Sequence, residues 1–220
     1  DEDSRADRSP GEHYQFDIEM SFVEQNDIFN TLEPIFFELF SEFSKNKVIS
    51  KPPFKRIKYK DALLIYGTDK PDLRNPIKIS DLTEVFKRED VKFEIFKKLV
   101  KKGSFVRGIP APKSANKPRS FFDNLNNWAK EQDASGLAYI FFSEKNGKLS
   151  AGGPIAKFFS GEAIQLLVKN CNIQAGDSLF FSCADKKEVE RISGLARQKI
   201  AEELDMIDKK KFEFCWIIDF

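Results

Sequence analysis

Near the start of the chain, within residues 12–23 (EHYQFDIEMSFV), hydrophobic and polar positions alternate strictly from His13 to Phe22. This period of two residues predicts a β-strand with one face in a core. The apolar face would carry Tyr14, Phe16, Ile18, Met20 and Phe22, and the polar face His13, Gln15, Asp17, Glu19 and Ser21. A row of carboxylates and an amide on one strand face can bind an ammonium group or a metal ion. A solvated edge strand shows the same alternation, so both interpretations stay open.

A segment whose apolar residues have helical spacing follows the predicted strand. Apolar residues recur three or four positions apart and predict one amphipathic helix; they are Ile28, Phe29, Leu32, Phe36, Leu39, Phe40 and Phe43. Asn26 or Asp27 can cap the start of this helix, and Pro34 is expected to kink or restart it. The KPPF segment at 51–54 interrupts the pattern. A short helix is predicted at 59–66, before the polar segment GTDKPDLRNP.

Beyond Pro76, helical and extended patterns alternate. Helices are predicted at 83–102, 118–133, 160–170 and 185–204, and strands at 104–109, 137–142, 178–184 and 212–220. Asp185 and Glu188 stand three residues apart just before an apolar-periodic run, which is typical of a capping box. Strands separated by helices predict an α/β or α+β module.

Composition narrows the function classes. The chain has 220 residues, is 41% hydrophobic and carries a net charge of +1, so any nucleic-acid surface must be local. Its three cysteines form no CxxC pair, which argues against a disulfide scaffold and favours a reducing cytosol. His13 is the only histidine, which excludes a histidine-rich metal site. The sequence predicts no membrane span and no signal peptide. Its opening, DEDSRADR, without an initiator Met, indicates a segment of a larger protein.

One stretch, from Ile95 to Ser120, contains no Asp or Glu. Its basic residues are Lys97, Lys98, Lys101, Lys102, Arg107, Lys113, Lys117 and Arg119. A surface of one charge sign can follow an RNA backbone, and interleaved phenylalanine rings can stack on bases. The first five of these residues, Lys97 to Arg107, are therefore a candidate RNA patch. A solvated helix face with its phenylalanines in a core would have the same composition.

Several segments together resemble one family. DEDSRADRSPGEHYQFDIEMSF resembles motif 2 of a bacterial-type aspartyl-tRNA synthetase, a class II enzyme, and YGTDKPDLRNP resembles the segment before that family's large insertion. GIPAP, GLAYI, GGPIAKF and FCWIIDF are similar, in the same order, to the insertion and the return to the catalytic core. The insertion resembles a module shared with an amidotransferase B subunit, called a GAD-like domain. The resemblance covers essentially the whole chain.

The resemblance implies an α+β fold and a division into domains. Residues 1–75 would be part of a class II catalytic domain with an antiparallel sheet. Residues 76–211 would form the inserted GAD-like domain, and 212–220 would be the return strand of the catalytic domain. The parent protein would be a cytoplasmic homodimer.

The resemblance also implies roles for particular residues. Asp17 would bind the α-ammonium group of L-aspartate, and Gln15 would orient that substrate. ATP would be contacted by Asp1, Glu2 and His13, and His13 stands where the family usually stacks a phenylalanine on adenine. The tRNA acceptor end would be approached by Arg5 and Arg8.

The implied reaction uses ATP and Mg²⁺ to form aspartyl-adenylate, and then transfers the aspartyl group to the 3′ end of tRNA. Catalysis would consist mainly of positioning and charge stabilisation. Motif 1, motif 3 and the arginine of motif 2 that holds the α-phosphate are not recognisable in this chain. We therefore expect the parent protein to be an aspartate–tRNA ligase and the isolated chain to be inactive.

Three alternatives remain open at this point. The chain could be an RNA- or protein-binding module without chemistry, which the acid-free stretch favours. The insertion could serve only to pack against the catalytic core. Within the enzyme class, a non-discriminating synthetase would also charge the asparagine tRNA.

Overall fold

The first elements of the chain are a long helix, two short strands and a second helix. The computed structural model describes residues 14–145 and 147–220. Helix α1 spans Gln25–Phe43, and it is followed by β1 (Val48–Ile49), β2 (Lys55–Lys58) and α2 (Tyr59–Tyr66). The N-cap of α1 is Glu24, whose main-chain N–H donates to Asp27 Oδ2 at 2.8 Å. The helix continues through Pro34 without the expected restart.

A five-stranded antiparallel sheet occupies the middle of the chain. Its strands are β3 (Ser80–Asp81), β4 (Phe105–Ala111), β5 (Ala138–Lys145), β6 (Lys148–Gly152) and β7 (Ser178–Ala184). They lie in the order β3-β4-β7-β5-β6, and every neighbouring pair is antiparallel. Strands β4 and β7 pair along their whole length, from Phe105 opposite Ala184 to Ala111 opposite Ser178. The predicted mixture of helices with an antiparallel sheet is confirmed.

Five helices cover this sheet. They are α3 (Thr83–Lys87), α4 (Glu94–Lys101), α5 (Arg119–Glu131), α6 (Gly161–Cys171) and α7 (Lys186–Glu203). Residues of α3, α4 and α6 form one core cluster with Phe181, and residues of α5 and α7 form a second cluster with Phe180. Neighbouring residues of a strand point to opposite faces of the sheet. Since helices cover both faces, β7 can be apolar at consecutive positions.

The last strands return to the first elements of the chain. Strand β8 (Lys211–Phe212) pairs in parallel with β1, and β9 (Cys215–Ile218) pairs in parallel with β2. Trp216 stacks on Phe29 of α1 with ring centroids 4.5 Å apart. The buried Glu33 carboxylate accepts hydrogen bonds from Trp216 Nε1 at 2.9 Å and from the Phe54 main-chain N–H at 3.1 Å. Helix α1 is thereby fixed to the β2–β9 pair, and Phe40 of α1 packs edge-on against Phe212 of β8 with ring centroids 5.1 Å apart.

The predicted strand at 12–23 is wrong for the part that the structure describes. Residues 14–20 have no regular secondary structure, and Tyr14 and Phe16 are 106% and 80% exposed. A strand is held by main-chain hydrogen bonds to a neighbouring strand. None of the strands at 48–145 and 148–218 lies beside this segment. Alternation alone therefore does not produce a strand here.

The single helix predicted at 83–102 is also wrong, since α3 and α4 are separate. Between them, Arg88 binds both carboxylate oxygens of Asp90, at 2.7 and 2.8 Å. Asp90 also accepts from the Ser160 hydroxyl, and Val91 forms a β-bridge with Phe159. The contacts with Ser160 and Phe159, which lie far along the chain, turn residues 88–93 out of the helical path.

Two predictions about residues 1–75 and 212–220 are corrected by the strand pairing. The strand predicted at 212–220 is two short strands, β8 and β9. The antiparallel sheet was expected within 1–75 and 212–220, whereas the described strands of those segments pair in parallel.

None of the helices in the described part of the chain is long and apolar enough to cross a membrane.

Candidate functional site

The Gln15 and Asp17 side chains lie together, although the strand predicted to carry them does not form. Gln15 Nε2 donates to Asp17 Oδ1 at 2.7 Å, and both residues are exposed. The amide holds one carboxylate oxygen and leaves the other free to accept a further hydrogen bond. A carboxylate oriented in this way can receive a cationic amino group through a charge-assisted hydrogen bond.

The other residues predicted to contact substrates lie outside the described residues. These are Asp1, Glu2, Arg5, Arg8 and His13. Their predicted roles toward ATP and the tRNA acceptor end stay predictions.

The segment YGTDKPDLRNP is an ordered turn that follows helix α2. Gly67 ends the helix in the left-handed conformation, with φ of 71°, and its N–H donates to Leu63 O. Arg74 Nε and Nη2 donate to the two carboxylate oxygens of Asp72, at 2.9 and 2.8 Å. These hydrogen bonds hold the pKa of Asp72 below its usual value and raise the pKa of Arg74. The pair is internal to the turn and fixes its shape.

Helix α7 binds this turn through one buried arginine. Arg197 donates to the main-chain oxygens of Asp72 at 2.9 Å, Asn75 at 2.7 Å and Ile77 at 2.7 Å. Its guanidinium lies 5.0 Å from the ring centroid of Tyr66. Burial lowers the pKa of Arg197 to about 10, so it stays cationic at neutral pH. A single side chain thus satisfies three carbonyls of a segment far away along the chain.

The main chains of the turn and α7 also touch. A Cβ at Gly67 would lie 2.4 Å from the Gly194 nitrogen, and a Cβ at Gly194 would lie 2.7 Å from the Gly67 oxygen. Beside this contact is a cavity of about 480 Å³, whose polar walls include Lys70, Asp72, Arg191 and Gln198. Sequence reasoning found the turn but missed Arg197. The available signal was an arginine within the apolar stripe of a helix, among Val189, Ile192, Ala196 and Ile200.

The candidate RNA patch is only partly exposed. Lys98, Lys101 and Lys102 are exposed. Lys97 Nζ instead donates to the main-chain oxygens of Arg88 at 2.6 Å and Val91 at 2.9 Å. The prediction for Arg107 is wrong, since this residue is 3% exposed and its Nη1 lies 2.9 Å from Asp81 Oδ2. Successive side chains of a strand point to opposite faces of the sheet, and position 107 of β4 lies on the face that α7 covers. Arg107 is therefore buried under this helix.

The acid-free stretch also divides into two regions. Strand β4 lies between Lys102 and Lys113, and its seven residues span about 20 Å. The lysines of α4 and those near Lys117 therefore lie at opposite ends of the sheet. A patch that is continuous in sequence is not continuous in space.

Metal and thiol chemistry find little support in the described residues. Within 14–145 and 147–220, no group of three or more His, Cys, Asp or Glu is placed to hold a metal ion. Burial raises the pKa of Cys171 to about 12 and that of Cys183 to about 11. Both thiols therefore stay protonated, and both belong to the core cluster formed with α3, α4 and α6.

Comparison with known proteins agrees with the resemblance noted in the sequence. The family model described as "tRNA synthetases class II (D, K and N)" matches residues 1–220. The chain is 55% identical over 220 residues to the "Aspartate--tRNA(Asp/Asn) ligase" of Pelagibacter ubique, covering 100% of this chain and 37% of the relative. Proteins with the same name from Rickettsia bellii and Zymomonas mobilis are 53% and 50% identical, again over the whole chain and 36% of the relative. The chain thus spans slightly more than a third of the length of these relatives, and it belongs to the class II tRNA synthetases of the D, K and N group.

Proposed function

We propose that this chain is part of an aspartate–tRNA ligase. The full protein would activate L-aspartate with ATP, giving aspartyl-adenylate and pyrophosphate, and would then transfer the aspartyl group to the 3′ end of tRNA. The observation that carries the proposal is identity of 50–55% to ligases of that name across all 220 residues. The chain is 36–37% of their length, so the whole activity belongs to a longer polypeptide.

Asp17 and Gln15 are assigned to the substrate. The Asp17 carboxylate would accept the α-ammonium group of L-aspartate, and the Gln15 amide would hold that carboxylate in place. Their hydrogen bond of 2.7 Å and their exposure support this assignment. Asp1, Glu2 and His13 are assigned to ATP by resemblance, and Arg5 and Arg8 to the tRNA acceptor end.

The proposed domain boundaries are 1–75, 76–211 and 212–220, with the middle part as a GAD-like insertion. The parallel pairing of β2 with β9 supports this division, because it places the residues on either side of the insertion next to each other. An inserted domain needs such adjacent entry and exit points. All five strands of the antiparallel sheet lie inside the proposed insertion.

Mg²⁺ is expected with ATP, but no group of three or more His, Cys, Asp or Glu among the described residues is placed to hold it, so no step is assigned to the ion. We further propose that the full protein is cytoplasmic and homodimeric, as the family resemblance implies. The isolated 220-residue chain would not activate aspartate.

Aspartate-dependent exchange of pyrophosphate into ATP tests the proposal. The full protein should catalyse exchange, and the 220-residue chain should not. Asp17→Asn should raise the KM for aspartate about 10- to 100-fold, because a charge-assisted hydrogen bond contributes ~1.5–3 kcal/mol. Glu19→Gln, on the same segment, is the matched control. Wild-type exchange by the Asp17→Asn protein would overturn the assignment of Asp17, and absence of exchange in the full protein would overturn the ligase.

A second specificity is favoured by the names of the relatives, each of which is called an "Aspartate--tRNA(Asp/Asn) ligase". We propose that the full protein also charges the asparagine tRNA with aspartate. Charging of purified aspartate and asparagine tRNAs, measured in parallel, distinguishes the two specificities. Charging of the aspartate tRNA alone would leave the ligase proposal intact and reject this extension.

A further inference from the structure

Two groups of exposed lysines, far apart in sequence, lie at the same end of the five-stranded sheet. Lys98, Lys101 and Lys102 lie at the end of α4, at spacings that place them on one helix face. Lys186 and Lys187 form the first turn of α7. The register of β4 with β7 places Phe105, which follows the first group, opposite Ala184, which precedes the second. We refer to these five residues as the lysine end of the sheet.

These lysines have no anionic partner among the described residues. None of the ion pairs within 14–145 and 147–220 includes any of the five. The two carboxylates nearest in sequence to Lys186 are already engaged, and Glu190, one helical turn further along, forms no ion pair with it within the described residues. Asp185 accepts from the Glu188 N–H at 3.0 Å, and Glu188 pairs with Arg191 at 2.7 Å. Five positive charges are thus concentrated on a chain whose total net charge is +1.

Stability does not explain the position of Lys186 and Lys187. The N-terminus of a helix carries a partial positive charge, so acidic residues stabilise it and lysines there are unfavourable. Lys101 and Lys102, at a C-terminus, are favourably placed by the same rule. Asp185 and Glu188 complement the start of α7, whereas Lys186 and Lys187 do not, so the charges of these two lysines are available to an external anion.

From this juxtaposition we propose that the lysine end of the sheet binds the sugar-phosphate backbone of tRNA. The proposal rests on the ligase function above, which makes tRNA the polyanion that the full protein handles. Flexible lysines that are not paired with acids neutralise phosphates without reading bases, and each contact releases bound counterions. The surface would add affinity for tRNA and would not discriminate between tRNA sequences.

The test uses the full protein with a tRNA transcript, and it compares binding at several salt concentrations. Lys186→Glu and Lys187→Glu together should weaken binding roughly tenfold or more and reduce the salt slope by about 1.4–1.8, because each phosphate contact contributes ~0.7–0.9. The same pair of changes should leave the melting temperature unchanged or raise it, because acids suit a helix N-terminus. Lys101→Glu with Lys102→Glu should also weaken binding.

The matched control is Lys113→Glu with Lys117→Glu, at the opposite end of β4. This control changes the net charge by the same amount, so any effect of total charge is shared. Equal binding by the control variant and the Lys186/Lys187 variant would overturn the surface and leave the ligase proposal standing. Failure of the wild-type full protein to bind tRNA would overturn both.

Discussion

Arg197 and Asn75 bind each other's main chains. Arg197 Nη2 donates to the Asn75 main-chain oxygen at 2.7 Å, and Asn75 Nδ2 donates to the Arg197 main-chain oxygen at 3.2 Å. Asn75 Oδ1 also accepts from the Ile77 N–H at 3.0 Å. The two side chains join helix α7 to the turn after α2, which lie on either side of the proposed domain boundary. The proposed insertion and the segment before it are therefore joined by buried hydrogen bonds.

Replacing Arg197 should destabilise the protein strongly. Arg197→Met would remove the donor of the buried Asn75 and Ile77 carbonyls, whereas Asp72 O would keep the Asn75 N–H at 3.3 Å. An unsatisfied buried group costs about 1–3 kcal/mol. We expect a loss of about 3 kcal/mol or more in the free energy of unfolding, measured by urea denaturation. Arg197→Lys should recover only part of it, because an ammonium group cannot reproduce the planar fork.

The control for Arg197 is Arg191→Met on the same helix. Arg191 is exposed and pairs with Glu188 on the surface, and such pairs contribute about 0–1 kcal/mol. A loss at Arg197 no larger than that at Arg191 would contradict the role given to the buried guanidinium.

A glycine in the middle of α7 should respond to substitution in the opposite direction from most helix glycines. Glycine to alanine inside a helix usually stabilises by about 0.5–1 kcal/mol. At Gly194 the new Cβ would lie 2.7 Å from the Gly67 oxygen, so the turn or the helix must shift. We expect Gly194→Ala to destabilise by about 1–3 kcal/mol, as overpacking does.

Gly161→Ala, in the first turn of α6, provides the comparison for Gly194. Nothing lies within 4 Å of a Cβ at Gly161. Thermal unfolding should therefore show a melting temperature that is unchanged or raised for Gly161→Ala and lowered for Gly194→Ala. A rise for both would show that the close contact between α7 and the turn can relax.

The sequence predicted those features that depend on near neighbours. Asp185 caps α7 as expected, since its side chain accepts from an N–H only three residues on, but Glu188 pairs with Arg191 and does not complete the predicted capping box. The contact of Arg197 with Ile77 joins residues 120 positions apart, and helical periodicity carries no information about such a distant carbonyl. The same limit explains α3 and α4, because the Val91 bridge to Phe159 is set by tertiary pairing.

The same difference between local and long-range contacts applies to the candidate site. Gln15 and Asp17 are two residues apart, so their proximity follows from local geometry. Arg107 was placed in an RNA patch because its neighbours in sequence are basic. Arg107 lies in β4, and its side chain points to the face of the sheet that α7 covers, where it pairs with Asp81. Charge along a sequence does not show which face of a strand a residue occupies.

Cysteine reactivity should report on the core. With a pKa of about 12, Cys171 has roughly a thousandfold less thiolate near pH 8 than an ordinary thiol of pKa ~8.5. We expect iodoacetamide to label Cys171 and Cys183 only after unfolding in urea, as measured by peptide mass spectrometry. Rapid labelling of either thiol in the native protein would contradict its burial.

Acid should weaken the contact that separates α3 from α4. Hydrogen bonds from Arg88, and then from Ser160, hold the pKa of Asp90 well below its usual range. A carboxyl group whose pKa is depressed by folding contributes stability above its unfolded pKa of about 3.9, and this contribution is lost as pH falls toward the lower folded value. Asp90→Asn should therefore lower the melting temperature at pH 7, and the difference from wild type should shrink progressively below about pH 4.

Glu89→Gln, at an exposed neighbouring position, should give a melting temperature close to wild type throughout. A constant difference between Asp90→Asn and wild type from pH 7 to pH 2 would show that the carboxylate charge does not stabilise this junction.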